Sequence, residues 1–233
     1  MASWVPDILG KPFAQRTLQL GEDADGPVVA TLVRSLPPGL LRMLGPLADV
    51  DVLYVHGWSD YFFQKRLARF WTARGARFFA LDLRKYGRSL REGQTPGYVA
   101  SLGEYDDDIA AALDAMGTAG LGRRLVVMGH STGGLTLTLW AARHPGVVSA
   151  VVLNSPWLQT HGGTTARAVA RLATRPLARA RPYGTLSLPR WAMVARAPAA
   201  DAARRSRPLI APHPAGRAGP GCTSPNGRSS RPA

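Results

Sequence analysis

Four short apolar runs, Val50–Val55, Arg77–Leu83, Arg124–Met128 and Val147–Leu153, alternate with three segments whose apolar residues recur at helical spacing. No other feature of the chain constrains its fold as strongly. Val50–Val55 is apolar except for Asp51 near its start, as expected of a strand covered on both faces. The intervening segments Phe62–Arg74, Ser101–Met116 and Gly133–Arg143 read as helices, the second opened by Ser101 and Glu104 at capping-box spacing. Strand, helix, strand in repeated order predicts βαβ units, and therefore a mostly parallel sheet with right-handed crossovers. Upstream, Arg16–Leu20 and Pro27–Arg34 flank an Asp25-Gly26 turn, which predicts an antiparallel hairpin at one edge of that sheet. Between hairpin and first parallel strand, residues 35–49 are broken by Pro and Gly and read as a loop with one helical turn.

The pattern stops near residue 160. The chain has 233 residues, enough for one domain with a sizeable core, and a formal charge of +14. That charge sits mostly in one place: 13 of the 29 basic residues fall within 161–233, all of them Arg, beside a single acid, Asp201. Ten prolines also interrupt this stretch, and only nine Val, Ile, Leu, Met or Phe residues occur in it. Thr165–Arg175 reads as a helix ended by Pro176, but too little apolar area follows to offset the entropy of ordering the rest. The single Cys222 excludes a disulfide framework and a Cys-based metal site. No apolar run reaches the roughly 20 residues of a membrane span, and the first residues lack the build of a signal peptide. The expectation is a soluble, cytoplasmic globular domain with no transmembrane segment.

Gly129-His130-Ser131-Thr132-Gly133 follows one predicted strand and opens the next predicted helix. A nucleophile on that sharp turn needs a strained backbone at Ser131, with small residues two before and two after it so that strand and helix can approach. Acyl transfer also needs two backbone N–H groups aimed at the developing oxyanion. One belongs to the residue after the nucleophile, Thr132, and the other to the loop after the first core strand, here Trp58 in Val55-His56-Gly57-Trp58. His56 reads as structural, and His130 as pointing away from its neighbour Ser131.

Residues 50–157 resemble a serine-nucleophile α/β-hydrolase of the lysophospholipase, monoacylglycerol lipase and serine aminopeptidase group. The resemblance rests on VLYVHGWSDY, FFALDLRKYGRS, VVMGHSTGGL and VVLNSPW, in family order and spacing. Within the second motif, Lys85 and Tyr86 replace the group's usual Gly and variable residue. The elbow is more similar to those of lipases and lysophospholipases than to those of proline-releasing peptidases. The resemblance implies an α/β-hydrolase fold, with 1–160 as its N-terminal part and 161–233 as an atypical or disordered tail that leaves the fold incomplete. It also implies ester hydrolysis through an acyl-Ser131 intermediate, on a small acyl ester or lipid. Trp58, Tyr61, Phe62 and the segment after Trp157 would either shape the acyl pocket or pack in the ordinary core.

Such a serine needs a base and an acid, and the family order is Ser, Asp, His. Asp201 is the only acid after Asp114, and His144, His161 and His213 are the only histidines after the elbow. Asp201 and His213 have the right order in the wrong setting, twelve residues apart and not at strand ends. His161 lies on the correct edge without an acid nearby, and His144 falls at the far end of the elbow helix. An inactive hydrolase, truncated or carrying a shifted reading frame after about 160, is therefore the alternative. The Ala, Arg, Pro and Gly excess there is what a GC-rich gene read out of frame produces. A nucleic-acid or anionic-surface binder acting through the Arg tail is a third reading, disfavoured because the tail has no stacking aromatics and no amphipathic run. No metal or organic cofactor is implied, and the oligomeric state is open.

Overall fold

The computed structural model describes residues 3–118, 122–158 and 180. A seven-stranded sheet runs in the order β1-β2-β3-β5-β4-β6-β7. Its strands are β1 (Val5–Pro6), β2 (Ala14–Asp23), β3 (Gly26–Ser35), β4 (Val50–Val55), β5 (Arg77–Asp82), β6 (Arg124–His130) and β7 (Ala150–Asn154). The helices are α1 (Leu41–Leu44), α2 (Lys65–Thr72), α3 (Tyr105–Met116) and α4 (Thr132–Arg143). Strands β5, β4, β6 and β7 are mutually parallel, and β3 joins β5 antiparallel, carrying β2 and β1 on its outer side. This is the α/β-hydrolase arrangement, with the hairpin on the predicted edge. The two-residue strand β1 was not legible, since Val5-Pro6 is too short to carry a period.

Both faces of the sheet are covered because β4 and β5 are apolar at every position that matters. Leu53, Val55, Phe79 and Leu81 project into one core with Ile109 of α3 and Leu137 and Trp140 of α4. Val50, Val52, Tyr54, Phe78 and Ala80 project into the other, against Phe13, Phe62 and Ala68. Period-2 alternation of side chains thus feeds two cores from one strand. The exception anticipated in β4, Asp51, is fully buried. It is neutralised by Arg77 and Arg123, with Arg123 Nε donating at 2.7 Å, and Thr118 Oγ1 adds a bond of 3.1 Å. A carboxylate there without those partners would be severely destabilising.

Two helix starts differ from the sequence expectation. Helix α2 begins at Lys65 rather than Phe62, because the Phe62 N–H is taken by Asp82 Oδ1 at 2.8 Å and its ring fills the core. The Ser101 capping box is present, but it opens a single 3-10 turn, Leu102–Glu104, that leads directly into α3. Among the described residues no helix is long and apolar enough to cross a membrane. The predicted helix at Thr165–Arg175 and the boundary near 160 lie outside the described residues.

Candidate active site

The four parallel strands end on one rim, and each exit carries one non-glycine residue with a left-handed backbone. These are Ser59 (φ 52°) after β4, Lys85 (φ 60°) after β5, Ser131 (φ 50°) after β6 and Ser155 (φ 47°) after β7. No other non-glycine residue with positive φ occurs among the described residues. Such conformations cost about 1–3 kcal/mol each and persist only where the surroundings impose them.

At Ser131 the surroundings do so from several sides. Its N–H donates to the Asn154 carbonyl of β7 at 3.1 Å, and its own carbonyl accepts from Trp157 N–H at 2.9 Å and from Gly134 N–H at 3.1 Å. Close packing fixes the rest. A Cβ on Gly133 would lie 2.2 Å from the His56 carbonyl oxygen, and one on Gly129 would lie 2.5 Å from Gly134 N. Only glycine lets α4 settle this closely on β4 and β6. The spacing of small residues read from the sequence has that physical cause.

The loop after β4 is held by a side chain instead. His56 is fully buried; its Nε2 accepts from Leu83 N–H at 3.1 Å, so its proton must sit on Nδ1, which donates to the Gly57 carbonyl at 2.7 Å. Burial holds its pKa below the ordinary histidine value, with Asp82 and Asp60 pulling the other way. His56 is a neutral brace, as the sequence reading had it. The Gly57 carbonyl and the Trp58 N–H share one planar trans peptide and point in opposite directions. Fixing the carbonyl on His56 therefore turns the Trp58 N–H away from the imidazole. Among the described residues neither the Trp58 nor the Thr132 N–H has a hydrogen-bond partner. Gly57 brings the two loops together, since a Cβ there would lie 3.1 Å from Ser131 Cβ.

The Asp82–Ser89 loop locks this pair in place. Asp82 accepts from Phe62 N–H, from Arg88 N–H at 3.1 Å and from Arg88 Nη1 at 2.8 Å, while Arg88 Nε also binds Asp7 at 2.8 Å. Arg84 donates to the buried Asp108 of α3 at 2.6 and 2.7 Å; burial still raises that carboxyl to about 6 against the pull of Arg84. Lys85, standing where the resembling family has glycine, reaches Asp23 and Asp25 at the hairpin tip, both at 2.7 Å. Ser89 Oγ donates to the Asp82 carbonyl at 2.7 Å. Gly87 (φ 45°) passes so close to Tyr61 that a Cβ would lie 2.4 Å from Tyr61 Cβ.

Above the rim lies a cavity of about 270 Å³. Trp58, Thr132 and Trp157 line it, together with Tyr86, Tyr98, Val99, Leu102, Tyr105 and Leu135. Tyr86 packs edge-on against His56 at 4.9 Å and Trp58 at 5.9 Å between ring centroids. The expected pocket is thus partly corrected. Phe62 belongs to the core with Phe13, Tyr54 and Phe78, and Tyr61 lines a neighbouring depression rather than this cavity. Of this wall, Tyr98 and Val99 lie in loop without a period and carried no sequence signal, whereas Leu102 and Tyr105 fall within the segment Ser101–Met116 read as helical.

The histidines within reach are accounted for. His130 Nδ1 bonds the Asn154 carbonyl at 3.2 Å, and His144 stacks on Trp140 and bonds its carbonyl at 2.9 Å. Among the described residues no histidine or carboxylate hydrogen-bonds the Ser131 hydroxyl, and no cluster of metal-ligating side chains occurs. His161, Asp201 and His213 lie outside the described residues.

Comparison with known proteins gives a consistent picture. The family model "Serine aminopeptidase, S33" matches residues 48–223, three quarters of the chain and well beyond the stretch whose motifs are recognisable by eye. Among curated proteins, the monoacylglycerol lipase of Mycolicibacterium smegmatis is 30% identical over 115 residues, covering 49% of this chain and 40% of that protein. Lysophospholipase L2 of Escherichia coli is 38% identical over 78 residues, covering 33% and 23% respectively. The chain thus spans less than half the length of these relatives. In three dimensions it is similar to a soluble variant of the monoglyceride lipase of Saccharomyces cerevisiae, with a TM-score of 0.53 at 19% identity over 74% of this chain and 56% of that one.

Proposed function

The chain belongs to the serine aminopeptidase S33 family of α/β-hydrolases, and from that premise we propose that it cleaves carboxylic esters of lipid type through an acyl intermediate on Ser131. The observation that carries this reading is the strained Ser131 at a rim where two unpaired backbone N–H groups, Trp58 and Thr132, border an apolar cavity. Ser131 Oγ attacks the ester carbonyl and passes its proton to a base, while the carbonyl electrons move onto oxygen between those two N–H groups. Collapse expels the alcohol, which takes the proton, and water then releases the acid from Ser131 by the same steps. The cavity lining of tyrosines, Leu102, Leu135 and Trp157 suits an acyl chain, and its volume suits a small ester better than a folded polypeptide. Relatives named monoacylglycerol lipase and lysophospholipase support the same substrate class.

One observation favours a second reading, a hydrolase scaffold without its base: no described residue is positioned to take the Ser131 proton. On the active reading His213 or His161 supplies that base. Labelling with a fluorophosphonate separates the two, because such probes phosphonylate efficiently, with loss of fluoride, only a serine whose base and oxyanion donors are assembled. The active protein gives an adduct mapped to Ser131 and absent from Ser131→Ala, and then loses it in His213→Ala or His161→Ala. A folded chain that takes up no label is the inactive scaffold.

A further inference from the structure

Away from the cavity, beside the N-terminal ends of the parallel strands, the molecule presents a surface unlike the rest. Leu40 (72% exposed), Met43 (76%) and Leu44 (76%) stand in solvent on and beside α1. This short helix is seated on the end of α2: Leu47 N–H bonds the Arg74 carbonyl at 2.8 Å, and a Cβ on Gly45 would lie 2.7 Å from that same oxygen. The exposed apolar cluster therefore adjoins the outer face of α2. That face carries Arg66, Arg69 and Arg74, and α1 adds Arg42, all of them exposed.

Two features distinguish this from an ordinary solvated helix. First, no acid occurs between Asp60 and Asp82, and none of these four arginines forms an ion pair among the described residues. Elsewhere Arg77, Arg84, Arg88 and Arg123 are paired with carboxylates, as are the exposed Arg124 and Arg143, whereas the half-buried Arg34 lies over the Trp4 ring and Arg16 has no ion pair among the described residues. Second, three large aliphatic side chains exposed side by side have no role in solution, where isolated apolar residues are common but contiguous ones mark contact surfaces. Phe70, half exposed and stacked under the Arg74 guanidinium at 3.8 Å, joins the two parts.

We propose that this α1–α2 face docks on an anionic phospholipid surface, with Leu40, Met43 and Leu44 entering the headgroup–acyl boundary and the arginines of α2 meeting lipid phosphates. Unpaired cations bordering apolar side chains are the chemistry of an interfacial segment. Phosphate alone, as in nucleic acid, would leave the aliphatic cluster without a partner, and an acidic protein would not require so bare a hydrocarbon tip. The face lies at the opposite end of the strands from the cavity, so it does not depend on the reading of Ser131.

The test uses the full chain and sedimentation with vesicles of phosphatidylcholine, with and without 30 mol% phosphatidylglycerol (an arbitrary, roughly physiological loading). Binding is expected on the anionic vesicles and weakens as salt rises. With about five-fold in partitioning for each surface cation, Arg66→Glu/Arg69→Glu/Arg74→Glu loses at least about 100-fold. Leu40→Ser/Met43→Ser/Leu44→Ser loses roughly ten-fold or more. The aliphatic variant keeps the wild-type melting temperature, since its altered side chains are exposed; the arginine variant loses the Arg74 bond to the Phe70 carbonyl, so its binding is read well below its own melting transition. Wild-type binding that neither variant reduces would place the contact on the Arg-rich stretch 161–233 and overturn the proposal. It is equally overturned by no binding to anionic vesicles, or by loss in the arginine variant alone together with equal loss of duplex DNA binding.

Discussion

The exits of β4 and β6 meet within van der Waals distance, and each holds its backbone in a demanding conformation, but by different means. At the β6 exit the turn is imposed by missing side chains, with Gly129 and Gly133 packed against backbone and the Ser131 peptide groups tied to β7. At the β4 exit it is imposed by side chains that are present: His56 on the Gly57 carbonyl, and Asp82 on the Phe62 N–H. Steric definition tolerates no addition, whereas polar definition tolerates no removal. It follows that acidification acts on the second exit through the buried His56.

Substitutions can break this contrast, beginning with the largest effect. Gly133→Ala puts a methyl 2.2 Å from a main-chain oxygen that cannot step aside. A loss of about 4 kcal/mol or more is expected, seen as failure to give a cooperative melting transition. A variant that melts normally would show that the glycine is a convenience. Asp82→Ala leaves Arg88 with Asp7 as its carboxylate partner but removes the acceptor of Arg88 N–H, Arg88 Nη1 and Phe62 N–H, and chemical denaturation should show a loss of about 3 kcal/mol. His56→Ala removes one donor and one acceptor from buried partners, for about 2 kcal/mol. If His56 also aims the Trp58 N–H, fluorophosphonate labelling of the folded variant slows at least about ten-fold; an unchanged rate would mean that the peptide holds its orientation unaided.

Acidity sharpens the same comparison. His56 titrates below the ordinary histidine value when folded, so as pH falls through that value the unfolded chain binds the extra proton first and stability falls. Asp108 behaves oppositely: its folded carboxyl sits at about 6, above the unfolded value, so acidification from pH 7 to 5 relieves a cost of burial. Relative to wild type, His56→Gln should shift the slope of melting temperature against pH toward greater stability in acid, and Asp108→Asn toward less. Slopes equal to wild type in both would mean that neither group differs between folded and unfolded chain. The smallest effect belongs to Lys85→Gly, where relief of a left-handed backbone offsets loss of the contacts with Asp23 and Asp25. A change in melting temperature within about 4 °C is expected.

What could be read from the sequence follows from where the information resides. β4 was legible because a strand buried on both faces must be apolar at nearly every position, Asp51 being its one paired exception, and the β6 elbow because glycine is the only solution to a steric problem. The capping box at Ser101 was legible for the same reason, as a fixed local geometry with few residues able to satisfy it. The cavity wall was not. Tyr98 and Val99 come from loop without a period, and Leu102 and Tyr105, though inside a segment read as helical, line the cavity with Trp58 and Trp157 only through tertiary packing. Nor was the tie from Lys85 to Asp23 and Asp25, about 60 residues apart in sequence and neighbours only because the hairpin projects past the β5 end. Phe62 was left between pocket and core, because an aromatic beside an oxyanion loop reads alike whether it faces inward or outward, and the structure places it in the core.

The left-handed residues at Ser59, Lys85, Ser131 and Ser155 form a set with a mechanical meaning. Four joints, each held about 1–3 kcal/mol above rest, amount to a load comparable with the 5–15 kcal/mol that keeps a whole domain folded. The sheet therefore works as a sprung frame whose cocked hinges all lie along one edge. What keeps them cocked is local, at Ser131 the bonds to Asn154 and Trp157 and the contacts of Gly129 and Gly133, so the stored load is released at the rim itself.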